Sequence, residues 1–123
     1  MSKTAIVILS DPKAGTGTEE ALGRVFNALA AAYDFKTAGE AVKILFQGTG
    51  TRWPEQLQKE EHPAHALYKA VEDTIEGVSS GCATVFGANP AGLELIADNP
   101  VPGTAGLPSF RNLQQDGYSV ITF

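Results

Sequence analysis

The chain has one cysteine, and Cys82 is the residue best suited to covalent chemistry. A lone cysteine cannot form an internal disulfide, a CxxC redox pair or an all-cysteine metal site. If Cys82 begins a helix, the unpaired amides and the dipole of that helix start would favour the thiolate, a nucleophile that can accept and pass on sulfur. The opposing interpretation is that Cys82 is a small buried apolar residue, which is a common role for cysteine.

Two histidines are the other candidates for catalysis. His62 and His65 lie on either side of Pro63, and histidine titrates near neutral pH, so either ring could act as a base or a proton shuttle. No metal-ligand cluster or HExxH motif accompanies them. A position at the surface start of a helix is the simpler interpretation, and neither a metal nor another cofactor is predicted.

Two glycine-bearing loops are candidates for binding an anion through backbone amides. One contains Gly15 and Gly17, and the other contains Gly48 and Gly50 and is followed by Arg52. Neither completes a dinucleotide fingerprint or a phosphate-binding loop, since a third glycine and a Walker lysine are missing, so turn formation is the favoured role. Together with the segment after the first strand, the candidate ligand-binding residues are Ser10, Asp11, Gly48, Thr49, Gly50 and Arg52.

Strand-like and helix-like segments alternate along the chain. Residues 4–9 and 42–46 are rich in β-branched and apolar residues, as in strands buried on both faces. Between them, apolar residues at helical spacing predict a helix that begins at Thr16 or Thr18 and ends at Gly39. The apolar residues of that helix are Leu22, Val25, Phe26, Leu29 and Tyr33. The remaining predicted segments are helices over 54–59, 63–73 and 108–115 and strands over 93–97 and 118–123.

The region around Cys82 allows two interpretations. In one, residues 74–78 form the third strand and Cys82 opens a helix; in the other, residues 82–86 are themselves the strand. We prefer the first, because residues 77–81 are typical of a strand end followed by a turn.

This alternation predicts a single α/β domain over residues 1–123, a three-layer sandwich with a mainly parallel sheet of about five strands and a flavodoxin-like general plan. Ligands of such folds gather at the carboxyl ends of the strands. The segments after residues 9, 46 and 78 are therefore expected at one edge.

Composition and charge exclude several classes of function. A net charge of −5 without a Lys/Arg cluster argues against a nucleic-acid partner, because binding to the phosphate backbone is mostly electrostatic. The longest apolar run is far below the ~18 residues of a membrane span, so no membrane partner is expected. The N-terminal residues lack the features of an export signal, and we expect a cytoplasmic protein.

Several motifs, taken in order, resemble those of the DsrE-like family (DsrE/DsrF/DsrH-like) of small α/β proteins. These are FQGTGTRW at 46–53, HP at 62–63, GCATVFG at 81–87, LPSFRNL at 107–113 and GYSVITF at 117–123. The similarity spans essentially the whole chain. It implies homo- or hetero-oligomers, often trimers or hexamers, and sulfur relay through a cysteine near the third strand, exchanging persulfide sulfur with donor or acceptor proteins. For this chain we expect a homotrimer or homohexamer. Cys82 matches that cysteine, although Phe86 and Gly87 stand where sulfur carriers of the family tend to have Arg-Gly.

The leading hypothesis from the sequence is therefore an oligomeric sulfur carrier or transferase that acts through a Cys82 persulfide. Exposed apolar groups, with Trp53, Phe110 and Phe123 as candidates, would support an assembly. The alternatives are a non-catalytic module that binds a small anionic ligand at the strand ends and a purely structural subunit.

Overall fold

The computed structural model describes residues 2–13 and 18–123, and of Thr18 it describes the backbone only. The strands are β1 (Lys3–Ile8), β2 (Ala41–Phe46), β3 (Ile75–Ser79), β4 (Leu95–Ile96) and β5 (Ser119–Thr122). The helices are α1 (Thr18–Thr37), α2 (Trp53–Leu57), α3 (His65–Val71), α4 (Ser80–Val85) and α5 (Phe110–Gln115), with short 3₁₀ turns at Gly48–Arg52 and Glu72–Thr74.

All five strands form one parallel sheet in the order β4-β3-β2-β1-β5. The central strands β1 and β2 are paired in register, with Ile6 opposite Ile44 and Ile8 opposite Phe46. Because every strand points the same way, the segments that follow β1, β2 and β3 emerge at one edge of the sheet. This is the predicted α/β sandwich with a parallel sheet, consistent with the flavodoxin-like plan.

One face of the sheet holds most of the core. The helices α1, α2 and α3 cover this face and exclude water from it, which accounts for the continuous apolar runs in β1 and β2. Tyr68 of α3 is the largest fully buried side chain. The other buried members of this core are Ile6, Ile8, Ala21, Val25, Ala28, Leu29, Ala32, Ile44, Phe46, Trp53, Leu57, Ala64, Val71, Val78 and Ala83.

The opposite face is covered more thinly. A smaller cluster joins Ala5, Val7 and Leu45 of the sheet to Leu113 of α5. Beside it, the ring of Tyr118 lies under the ammonium groups of Lys3 and Lys43, at 4.6 and 4.9 Å from the ring centroid. The sheet and the helices on its two faces form the three layers of the sandwich.

The structure corrects three details. The predicted strand over 93–97 is limited to Leu95–Ile96, because glycine and proline residues flank it. Tyr33, expected in the buried stripe of α1, is 46% exposed, whereas small alanines fill the stripe instead. Trp53 is only 2% exposed, so it is covered within the chain and gives no support for a subunit contact, while Phe110 is 38% exposed.

The C-terminal end of α1 follows the prediction. Gly39 has φ +77°, the left-handed conformation that closes many helices at low cost for glycine. The proposed cap at Thr16 and the loop containing Gly15 and Gly17 lie outside the described residues, as does the side chain of Thr18.

Candidate functional site

Cys82 lies in the first turn of α4, directly after the carboxyl end of β3. Ser79 is the N-cap residue, and its hydroxyl oxygen accepts a hydrogen bond from the Cys82 amide at 3.3 Å. The preferred interpretation of this region is therefore confirmed, since the strand precedes the cysteine and the cysteine opens a helix.

The start of α4 has fewer unpaired amides than the sequence led us to expect. Besides the capped amide of Cys82, the amide of Gly81 donates to the carbonyl oxygen of Gly106 at 2.8 Å. A Cβ atom at Gly81 would lie 2.9 Å from that oxygen and 3.1 Å from Leu107 Cδ2, so only glycine allows this close approach. The expectation of unpaired amides is wrong at both positions because internal acceptors already use them.

Cys82 is partly buried in the first turn of α4 and keeps some contact with solvent. The next residues of the helix leave the surface open, with Val85 64% and Phe86 36% exposed. Among the described residues, Cys82 lines none of the four cavities discussed below. Cys82 is therefore partly accessible and lies outside these four cavities.

The Gly48–Arg52 turn packs against the end of β1. A Cβ atom at Gly50 would lie 2.0 Å from the carbonyl oxygen of Ile8, so the absence of a side chain lets the two backbones touch. The Thr49 hydroxyl donates to the Leu9 carbonyl at 3.1 Å, and Gly48 has φ +59°. These contacts account for the glycines by packing and turn formation, the role that the sequence favoured.

Arg52 connects three segments at the carboxyl edge. Its Nη1 lies 3.0 Å from Asp11 Oδ2, its Nη2 donates to the carbonyl oxygen of Phe86 at 3.3 Å, and its guanidinium lies 5.8 Å from the Phe86 ring centroid. Ser10 is engaged in a similar way, because the Trp53 indole N–H donates to its carbonyl oxygen at 2.8 Å. The candidate binding residues are thus brought together, but Asp11 compensates the charge of Arg52, and Ser10 and Thr49 bond to other groups of the chain.

Both histidines make local contacts with the backbone. His62 Nδ1 accepts from the Ala64 amide at 3.0 Å, and His65 Nδ1 lies 2.8 Å from the Leu57 carbonyl oxygen, to which it can only donate. Burial lowers the pKa of His62; Glu61 opposes this effect, while His65 and Lys59 add to it. Neither ring bonds to Cys82 among the described residues, so a role for them in its chemistry stays a hypothesis.

The largest of four cavities among the described residues was not anticipated from the sequence. It has a volume of about 510 Å³ and lies between the end of β2 and the start of α5, with Gln47, Leu107 and Arg111 in its walls. The Asp98 carboxylate in its wall already accepts from the Ser109 amide and the Asn112 side chain at 3.1 and 3.2 Å. Its residues come from segments far apart in the chain, so no local motif could have revealed it.

Two searches for other kinds of site gave negative results over the described ranges. No group of three His, Cys, Asp or Glu residues there is placed to hold a metal ion. None of the helices in the same ranges combines the length and apolar content needed to cross a bilayer.

A parallel five-stranded α/β sandwich with one cysteine on the helix after its third strand defines a class of small α/β proteins. The chain belongs to the DsrE/DsrF-like family, whose model matches residues 3–123. A search of curated proteins and a search of solved structures gave no significant match.

Proposed function

We propose that the protein carries sulfur as a persulfide on Cys82. The observation that carries the proposal is the position of the single thiol, which is partly exposed at the start of α4 on the carboxyl edge of the sheet, in a chain of the DsrE/DsrF-like family. An accessible thiol is the minimum that sulfur exchange requires. In the reducing cytoplasm, where we propose that it acts, a lone cysteine stays available for this reaction.

The loading step is a thiol exchange at sulfur. The Cys82 thiolate attacks the outer sulfur of a donor persulfide, R–S–SH. A new S–S bond forms at Cys82, the S–S bond of the donor breaks, and the donor leaves as its thiolate R–S⁻ with the electron pair. The products are Cys82–S–SH and the donor thiol after proton exchange with water, and unloading is the same exchange with an acceptor thiolate.

The structure of α4 supports such a relay because Cys82 is partly exposed and the last residues of the helix are open to solvent. The exposed end of the helix, with Val85 and Phe86, provides apolar area beside the thiol where a partner protein carrying the second cysteine can dock. The amides of Gly81 and Cys82 are used internally, so accessibility supports the reaction and a preformed anion cradle does not.

The test is mass spectrometry of the native protein after incubation with a low-molecular-weight persulfide. We expect a gain of one sulfur atom on Cys82 and its loss when an excess of a small thiol is added. The Cys82→Ser variant is the matched control and should gain nothing while keeping its fold, since the volume at this partly exposed position hardly changes. If the thiol takes up sulfur or an alkylating reagent only after denaturation, Cys82 is a packing residue and the proposal fails.

A further inference from the structure

A second cavity at the carboxyl edge lies beside the long helix α1. It has a volume of about 300 Å³ and is formed by the segment after β1, the first turns of α1, α2 and the turn before α3. Its walls are Pro12, Lys13, Leu22, Trp53, Gln56 and His62. Neither the predicted anion-binding residues nor Cys82 belong to this lining among the described residues.

The polar groups that the described residues contribute to this cavity are hydrogen-bond donors or can act as donors, and none of these groups is a carboxylate. The ammonium group of Lys13 is exposed, and no carboxylate within residues 2–13 and 18–123 lies at ion-pair distance from it. Gln56 adds a side-chain amide. A cavity with a cation and donors but no acidic group is complementary to an anion.

The contacts of His62 define which ring nitrogen a ligand would meet. Its Nδ1 accepts from the Ala64 amide, so in the neutral ring the proton lies on Nε2. Burial favours the neutral ring by lowering the pKa of His62, against the opposing charge of the exposed Glu61. His62 therefore offers one N–H donor from Nε2 and leaves the positive charge of the cavity to Lys13.

The rest of the wall is apolar. Pro12 and Leu22 line one part, and the edge of Trp53 lies against His62, with ring centroids 6.1 Å apart at 85°. We propose that this cavity binds a small organic anion, its carboxylate or equivalent group at Lys13 and His62 and its apolar part against Leu22 and Trp53. The inference does not depend on sulfur loading at Cys82.

Trp53 is the only tryptophan of the chain, so its fluorescence reports on this cavity alone. The probe is benzoate, with benzamide as its neutral counterpart, both titrated at constant ionic strength. We expect a saturable fluorescence change with benzoate at a Kd of about 1 mM, and about tenfold weaker binding of benzamide.

Matched variants separate the cavity from general electrostatics. Lys13→Met should weaken benzoate binding about tenfold, whereas Lys69→Met, which removes the same charge from an exposed position outside the lining and is not among the groups that shift the pKa of His62, should leave it unchanged. His62→Asn keeps an oxygen near the position of Nδ1 and removes the Nε2 donor, so binding should weaken as well. If that variant does not fold, the affinity of Lys13→Met for benzoate still tests the proposal.

Three results would overturn the inference. They are the absence of a saturable change with benzoate at millimolar concentration, equal affinity for benzamide, and an equal loss of affinity in Lys13→Met and Lys69→Met. The last result would show that net charge, and not this cavity, attracts the anion.

Discussion

The surroundings of Cys82 and the cavity at His62 are built in opposite ways, although both lie at the carboxyl edge of one sheet. Around Cys82 the backbone is tightly packed, and the amides of Gly81 and Cys82 have internal acceptors. Around His62 there is a cavity of about 300 Å³ and a lysine that no carboxylate of the described residues pairs with.

This difference corresponds to two kinds of chemistry. A residue that passes on a single atom needs an accessible nucleophile and a rigid support, and it does not need a cavity. A residue that binds a whole molecule needs volume and polar groups that the protein does not use itself. The Asp11–Arg52 pair lies between the two regions, because Asp11 precedes the cavity residues Pro12 and Lys13 while Arg52 bonds to the end of α4.

The largest effect should come from adding a methyl group to the packed region. Gly81→Ala places a Cβ atom 2.9 Å from the Gly106 carbonyl oxygen and 3.0 Å from Thr104 Cβ, so the loop must shift. We expect a loss of about 1–3 kcal/mol in the free energy of unfolding, measured with urea.

Gly23→Ala is the matched control for that variant. Gly23 lies inside α1 with nothing within 4 Å of its added Cβ, so the same change should stabilise the protein by about 0.5–1 kcal/mol through helix propensity. If Gly81→Ala is as stable as the native protein, the region around Cys82 is not tightly packed and the comparison with the cavity is wrong.

A smaller effect is expected from the ion pair between the two regions. Arg52→Met should cost about 1–2 kcal/mol, because it removes hydrogen bonds to Asp11 and to the Phe86 carbonyl. A double-mutant cycle with Asp11→Asn should give a coupling energy of about 0.5–1 kcal/mol. Asparagine keeps the Oδ1 acceptor for the Lys13 amide, so this cycle isolates the charge pair. A coupling energy of zero would mean that the pair does not join the regions.

Much of the fold could be predicted because its signals are local. The apolar runs of β1 and β2 are long enough to indicate buried strands, and the stop at Gly39 follows from a backbone conformation that glycine adopts easily. The length of the β4 strand was overestimated, since Leu93 packs on the core without pairing in the sheet. Burial and strand pairing give the same apolar pattern in a sequence.

The site was predicted less well than the fold because its contacts join distant segments. Placing Cys82 after β3 followed from nearby glycines, but the acceptor for the Gly81 amide is Gly106, which no local pattern reveals. The pairing of Arg52 with Asp11 turned two candidate ligand-binding residues into partners of each other. The His62 cavity combines residues from four segments and has no sequence motif at all.

The smallest expected effect is the pH dependence that His62 contributes. Burial lowers the pKa of His62 below its ordinary value of 6.5, with Glu61 acting in the opposite direction and His65 and Lys59 adding to the shift. The unfolded chain therefore binds this proton more readily than the native protein does, so the stability contributed by the neutral ring is present above pH 6.5 and decreases as the pH falls through the folded pKa. An NMR titration of the two histidines, assigned with His62→Asn, should find His62 below 6.5 without ligand and shifted upward with saturating benzoate, because an anion beside Nε2 stabilises the charged ring. A pKa of His62 that does not move when benzoate binds would place the anion away from this ring and separate the cavity from His62.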